Sequence, residues 1–311
     1  MHKDVWQRCL DEARERLIVA LDAPTLEEVY RLVEVLGPEV RWFKVGMSAF
    51  YAGHRSLLQT IKRSGARIFL DLKLHDIPST VARTVDIILD LGVSWLTLHA
   101  LGGGKMLLSA RERVEKQSVG ERGERLKLFA VTVLTTHDAR SWQAIGMSER
   151  LKESTVHLAR FAIDAGMDGL ICAPTEVRDL ASLFGRYPNG PYLVTPGVRL
   201  EPDQGSPFSS AEVIPSSLEE KRFLLQDANH SSSGRSFFER SLRGTRDDQV
   251  RIATPEKAFQ DGAYAVVVGR PIISAQDPLD AYRVWVKRTA RALFEYDKTC
   301  SDPTKIRTRI R

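Results

Sequence analysis

Within the six residues Asp71-Leu72-Lys73-Leu74-His75-Asp76 the chain places two carboxylates, an ammonium group and an imidazole. A carboxylate next to an ammonium group keeps both ionised. Such a pair can deliver a proton to, or hold, negative charge that develops on a substrate. The flanking run Arg67-Ile68-Phe69-Leu70-Asp71-Leu72-Lys73 has its aliphatic residues at the even positions and Phe69, Asp71 and Lys73 at the odd ones. Strand side chains alternate faces, so Asp71 and Lys73 share one. The same parity sets Ile18, Ala20 and Asp22 on one face of a first strand and Trp42, Lys44 and Gly46 on one face of a second. An isolated buried ion is costly to desolvate, and alternating charges offset that cost. Asp22, Lys44, Asp71 and Lys73 therefore suit a common, confined site better than four separate ones.

The elements that must position these residues are short β-rich runs alternating with helical segments. The pattern predicts strands at Arg16–Asp22, Arg41–Met47, Arg67–Lys73, Trp95–Ala100, Leu128–Leu134, Gly169–Ala173, Tyr192–Pro196 and Ala263–Gly269. Pro24-Thr25-Leu26-Glu27-Glu28 and Thr254-Pro255-Glu256-Lys257 are helix starts, and Gly37, Gly65, Gly92 and Gly166 are stops. Eight βα units of this kind predict an α/β protein, a single-domain (β/α)8 (TIM) barrel over 15–298. Residues 1–14 read as a helical extension across the barrel bottom, 201–246 as a disordered insert rich in Ser, Gly and charge, and 299–311 as a basic tail. What is left is close to the ~250 residues typical of the architecture. In such barrels the strands' carboxyl ends carry the chemistry, which is where Asp22, Lys44, Asp71 and Lys73 fall.

Composition narrows the function classes. The chain has 43% hydrophobic and 27% charged residues, as ordinary globular proteins do. Its longest apolar runs are far short of the ~20 residues of a membrane span, so no membrane association is expected. The charged amino terminus lacks the apolar stretch of a secretory signal, and a cytoplasmic location is expected. Cys9, Cys172 and Cys300 are odd in number and widely separated, which suggests neither a disulfide framework nor a zinc site. A formal net charge of +5 suits a phosphate-bearing ligand, although part of the excess lies in the tail.

Asp71-Leu72-Lys73-Leu74-His75-Asp76-Ile77-Pro78-Ser79-Thr80 closely resembles the signature of the orotidine 5'-phosphate decarboxylase family in its common bacterial form. Val19-Ala20-Leu21-Asp22, Phe43-Lys44-Val45-Gly46, Val131-Thr132-Val133-Leu134-Thr135, Val194-Thr195-Pro196-Gly197-Val198-Arg199, Asp248-Gln249-Val250-Arg251 and Val268-Gly269-Arg270-Pro271 look like further family blocks in the family's order. The resemblance implies a cofactor-free, metal-free carboxy-lyase of pyrimidine (UMP) biosynthesis. Lys73 would protonate C6 of orotidine 5'-monophosphate, and Asp71 would sit beside the leaving carboxylate. Asp22 and Lys44 would hold the ribose hydroxyls and complete the charge chain. Thr135 would contact the base, with Arg199, Gln249, Gly269 and Arg270 around the phosphate. It also implies a homodimer with shared sites, in which Asp76 and Thr80 reach the neighbour's ribose region. Asp76 can equally be read as the N-cap of a helix beginning near Pro78, and Thr135 as a local cap. His75 and His99 are assigned structural roles.

One region departs from the family pattern: some fifty residues separate Arg199 from Gln249, where the family has a short phosphate-gripping loop. Asp203-Gln204 is thus a rival to Asp248-Gln249, and Gln249 is preferred because Val250-Arg251-Ile252-Ala253-Thr254-Pro255 continues the block. Two other functions compete. One is a related barrel that decarboxylates or condenses sugar phosphates with magnesium. The other is a basic nucleic-acid-binding or scaffold protein, for which no recognised motif is found, so no nucleic-acid partner is expected.

Overall fold

In the computed structural model the described residues are 2–116, 125–200 and 251–299. The expected insert 201–246, Gln204, Gln249 and the tail 299–311 apart from Thr299 lie outside them, Cys300 included. All described residues but Leu200 fall in one compact unit.

Eight parallel strands close into a barrel in sequence order: β1 (Leu17–Ala20), β2 (Trp42–Gly46), β3 (Arg67–Leu74), β4 (Trp95–His99), β5 (Lys127–Val131), β6 (Gly169–Ile171), β7 (Tyr192–Thr195) and β8 (Ala265–Val268). Every expected strand is present, most of them trimmed at the carboxyl end, where the chain turns outward into the βα connections. Thr25 and Thr254 start their helices as expected, each side-chain oxygen accepting from the backbone N–H three residues on. Gly65, Gly92 and Gly166 sit at positive φ just past helix ends. The amino-terminal helix His2–Arg16 packs against the carboxy-terminal helix Pro278–Thr299, with further contacts to β1 and β8.

The barrel interior has two zones. Its amino-terminal half is filled by Trp42, Phe69, Trp95 and Phe129, with ring centroids 4.2 Å apart for Trp42–Trp95 and 4.4 Å for Trp95–Phe129. Gly169 makes room for this packing: a Cβ there would lie 2.4 Å from the Phe129 ring and 2.6 Å from the Tyr192 carbonyl oxygen. Ile18, Ala20, Trp42 and Phe69 all point inward, the parity the sequence pattern requires. One residue further along each strand face, hydrocarbon gives way to charge.

The long β7–β8 connection is tied at its base. Val198 and Ala253 form a parallel bridge, in which Arg199 N–H donates to the Ala253 carbonyl at 2.9 Å and Ala253 N–H donates to Gly197 at 3.3 Å. The chain thus leaves and re-enters the described barrel at hydrogen-bonded neighbours. Among the described residues, no helix is long and apolar enough to cross a membrane, and no group of His, Cys, Asp and Glu is arranged to hold a metal. Cys9 and Cys172 are buried; burial pushes the Cys172 thiol up to about 12, which makes it a poor nucleophile.

Candidate active site

At the carboxyl ends of β1, β2 and β3 four charged side chains form a continuous chain. Lys44 Nζ lies 3.4 Å from Asp22 and 3.2 Å from Asp71, and Lys73 Nζ donates to both Asp71 oxygens at 2.9 and 2.8 Å. Asp71 and Lys44 are nearly enclosed, with side chains 11% and 12% exposed, whereas Lys73 and Asp22 face the mouth at 31% and 50%. Gly46, paired across the sheet with Asp71, keeps the space open: a Cβ there would come within 3.1 Å of an Asp22 oxygen.

Burial opposes ionisation of both enclosed groups, and their neighbours reverse it. For Asp71, burial alone would push the carboxyl up, but the charges of Lys44 and Lys73 and hydrogen bonds from Lys73 and Thr97 hold it at about 2. Burial likewise pulls Lys44 down, and Asp71 and Asp22 raise it above the ordinary lysine range. At neutral pH the site thus holds a fixed carboxylate flanked by ammonium groups. That array can repel an incoming carboxylate and attract charge forming beside Lys73.

Lys73 arrives there by a device that strand periodicity does not describe. Its φ is +48°, the left-handed region that non-glycine residues rarely occupy, and the β3–β4 register shifts between Leu70 and Leu74. Thr97 holds this bulge. Its hydroxyl accepts from Lys73 N–H at 2.8 Å and donates to Asp71 Oδ1 at 2.9 Å. Backbone strain stabilised from outside in this way is common where a side chain must be aimed. Thr97 was not singled out in the sequence, although its parity with Trp95 on β4 was a usable signal.

His99, next on that face of β4, is buried and accepts from Leu101 N–H through Nδ1 at 3.3 Å; its ring stacks on His75 at 5.5 Å. Burial, then the proximity of His75, Lys73 and His137, holds it down at about 4, so it is neutral at pH 7.

The chain belongs to the orotidine 5'-phosphate decarboxylase / HUMPS family. The family model, described as Orotidine 5'-phosphate decarboxylase / HUMPS family, matches residues 15–209. A curated relative from Geotalea daltonii named orotidine 5'-phosphate decarboxylase is 35% identical over 271 residues, spanning 87% of this chain and 94% of the relative. Another of that name, from Carboxydothermus hydrogenoformans, is 36% identical over 263 residues, spanning 85% and 91%. The crystal structure of orotidine 5'-phosphate decarboxylase from Lactobacillus acidophilus superposes with a TM-score of 0.66 at 30% identity, covering 88% of this chain and 98% of that one.

The remaining expected decarboxylase residues are spread around the same rim. Thr135 lies in the turn after β5, Arg199 follows β7 with one guanidinium nitrogen 2.9 Å from the Val198 carbonyl, and Gly269 and Arg270 follow β8, where Arg270 opens the helix Arg270–Ile273. Asp76 and Thr80 project differently. Asp76 is exposed, and its carboxylate accepts from the adjacent Ile77 N–H at 2.6 Å. The N-cap of the helix Pro78–Leu89 is Ile77, with no side-chain cap, so the capping role considered for Asp76 does not hold: its carboxylate closes on the residue beside it and stops short of the helix's first turn. Thr80, in that turn, accepts from Arg83 at 3.4 Å. Thr135 caps no helix either; the one that follows, Ala139–Ala144, is capped by Asp138.

Proposed function

We propose that Asp22, Lys44, Asp71 and Lys73 are the array with which this orotidine 5'-phosphate decarboxylase converts orotidine 5'-monophosphate to uridine 5'-monophosphate and CO2, a step of pyrimidine synthesis. The observation that carries the assignment is the Lys73 ammonium group, 2.8 and 2.9 Å from the two oxygens of the buried Asp71 carboxylate. With the substrate carboxylate beside Asp71, two negative charges face each other. As the carbon–carbon bond breaks, its electron pair stays on C6, CO2 departs, and Lys73 transfers its proton to C6. Attraction between the ammonium group and the forming carbanion lowers the barrier. Lys44 and Asp22 hold the ribose hydroxyls, an orienting role. Thr135 meets the base, and Arg199, Gln249, Gly269 and Arg270 surround the phosphate.

The chain acts as a cytoplasmic homodimer in which Asp76 and Thr80 complete the neighbour's site. Supporting this, exposed apolar side chains lie on three successive βα connections, Met47 and Tyr51 after β2, Ile77 (beside Asp76) after β3 and Leu101 after β4. The test of function is the absorbance change of the pyrimidine when purified protein meets orotidine 5'-monophosphate without added cofactor. Turnover that persists in EDTA supports the assignment. No turnover, or turnover that collapses on chelation, refutes it in favour of a magnesium-dependent sugar-phosphate enzyme.

A further inference from the structure

Where the described chain resumes within the β7–β8 connection, Arg251 inserts its guanidinium group between two other connections. It pairs with Glu176 and donates to the carbonyl oxygens of Val133, at 3.2 Å, and Leu134, at 2.8 Å. Glu176 also accepts from Ala173 N–H at 2.9 Å and from the Thr155 hydroxyl at 3.2 Å. Both side chains are largely buried, at 13% and 9% exposed. Two residues on, Ala253 makes the bridge to Val198 and the bond from Arg199 N–H. One side chain therefore links the end of the β5 segment, immediately before Thr135, to the turn after β6 and to the segment bearing Arg199. Buried ion pairs add little net stability over apolar packing, so stability alone is a weak account of this one.

We propose that Arg251, oriented by Glu176, is a positioning residue that fixes the Gly197–Arg199 segment against the Val133–Thr135 segment, and so sets the separation between the phosphate and base ends of the nucleotide site. This rests on the assignment of Arg199 to phosphate and Thr135 to base. Arg251 touches no substrate; it acts through the backbone of both segments. Lysine cannot replace it fully, since a point charge cannot serve the carboxylate and two carbonyls with one planar fork.

The test compares kcat and KM for orotidine 5'-monophosphate and for orotidine, which lacks the phosphate, in R251M, R251K, E176Q and R199A, with thermal melts. R251M is expected to raise KM for the nucleotide about tenfold while kcat changes less than about threefold, as loss of one charged hydrogen-bonding set predicts. Its kcat/KM for orotidine should stay near the parent's. R251K should recover part of the loss, and E176Q, which keeps the shape, should move KM the same way by less. Should R251M fail to fold, E176Q carries the comparison. Equal losses on nucleotide and nucleoside, or an unchanged KM, would overturn the proposal. If R199A alters the preference for the phosphorylated substrate and R251M does not, the positioning role fails and the phosphate assignment stands. If R199A leaves that preference unchanged, the phosphate assignment fails and the positioning role with it.

Discussion

Replacing Thr97 with valine removes one hydroxyl and almost no volume, yet it strikes both halves of the Asp71–Lys73 unit. The hydroxyl donates to Asp71 at 2.9 Å and accepts from Lys73 N–H at 2.8 Å. A hydrogen bond to a charged group contributes about 1.5–3 kcal/mol, and a stranded buried N–H costs a similar amount. Thr97 is fully buried, so water cannot substitute. We expect T97V to lose about 2–4 kcal/mol of stability, the two effects overlapping because they share an atom. With Lys73 freed from its left-handed pose, kcat should fall by about 10- to 100-fold, the scale set by an ångström of misplacement. The Thr97 bond also helps keep Asp71 ionised, so the acid limb of kcat/KM should move to higher pH. T97S, which keeps the hydroxyl, should behave nearly as the parent. The assay is the orotidine 5'-monophosphate absorbance change across pH, alongside thermal melts. A folded T97V with kcat within about twofold of the parent's, or a T97S no better than T97V, would refute the argument.

Three further outcomes are expected. K73A should abolish turnover while circular dichroism stays that of the parent; appreciable residual activity would remove Lys73 as the proton donor. Asp71 is held at about 2, below the 3.8 of an ordinary aspartate, so its contribution is fully present above pH ~4 and is lost as pH falls toward 2. Acid titration of the parent should therefore show about 2 kcal/mol of stability that D71N lacks. If sites are shared across a homodimer, mixing inactive K73A and D76A chains should restore about a quarter of parental activity, since half the dimers are mixed and each has one intact site; no recovery after subunit exchange would confine each site to one chain.

Much of this site was legible because strand parity is a strong constraint. Asp22, Lys44 and Asp71 follow directly from alternation on β1, β2 and β3, and the inward Trp42 and Phe69 below them confirm it. Lys73 reached the expected place by another route, since a bulge and a positive φ depend on a partner strand that local sequence does not contain. Thr97 was hidden for the same reason: a threonine on a strand looks like ordinary β propensity until Asp71 is set beside it. The Arg251–Glu176 pair joins residues 75 positions apart, so only the folded rim brings it together. The alternative reading of Asp76 as a cap rested on its type and position before Pro78, which fit the usual signal, whereas its carboxylate turns back on Ile77.

The bridge between Val198 and Ala253 separates the barrel from the length of chain strung between them. Because the two flanks hold each other, closing a longer connection costs only logarithmically more entropy, and nothing in the bridge depends on what intervenes. A longer or shorter length of chain can therefore be carried here without moving the charged array at the ends of β1, β2 and β3. The same position offers a practical insertion point, where a reporter domain or an affinity tag could be spliced into the enzyme with its flanks already in register.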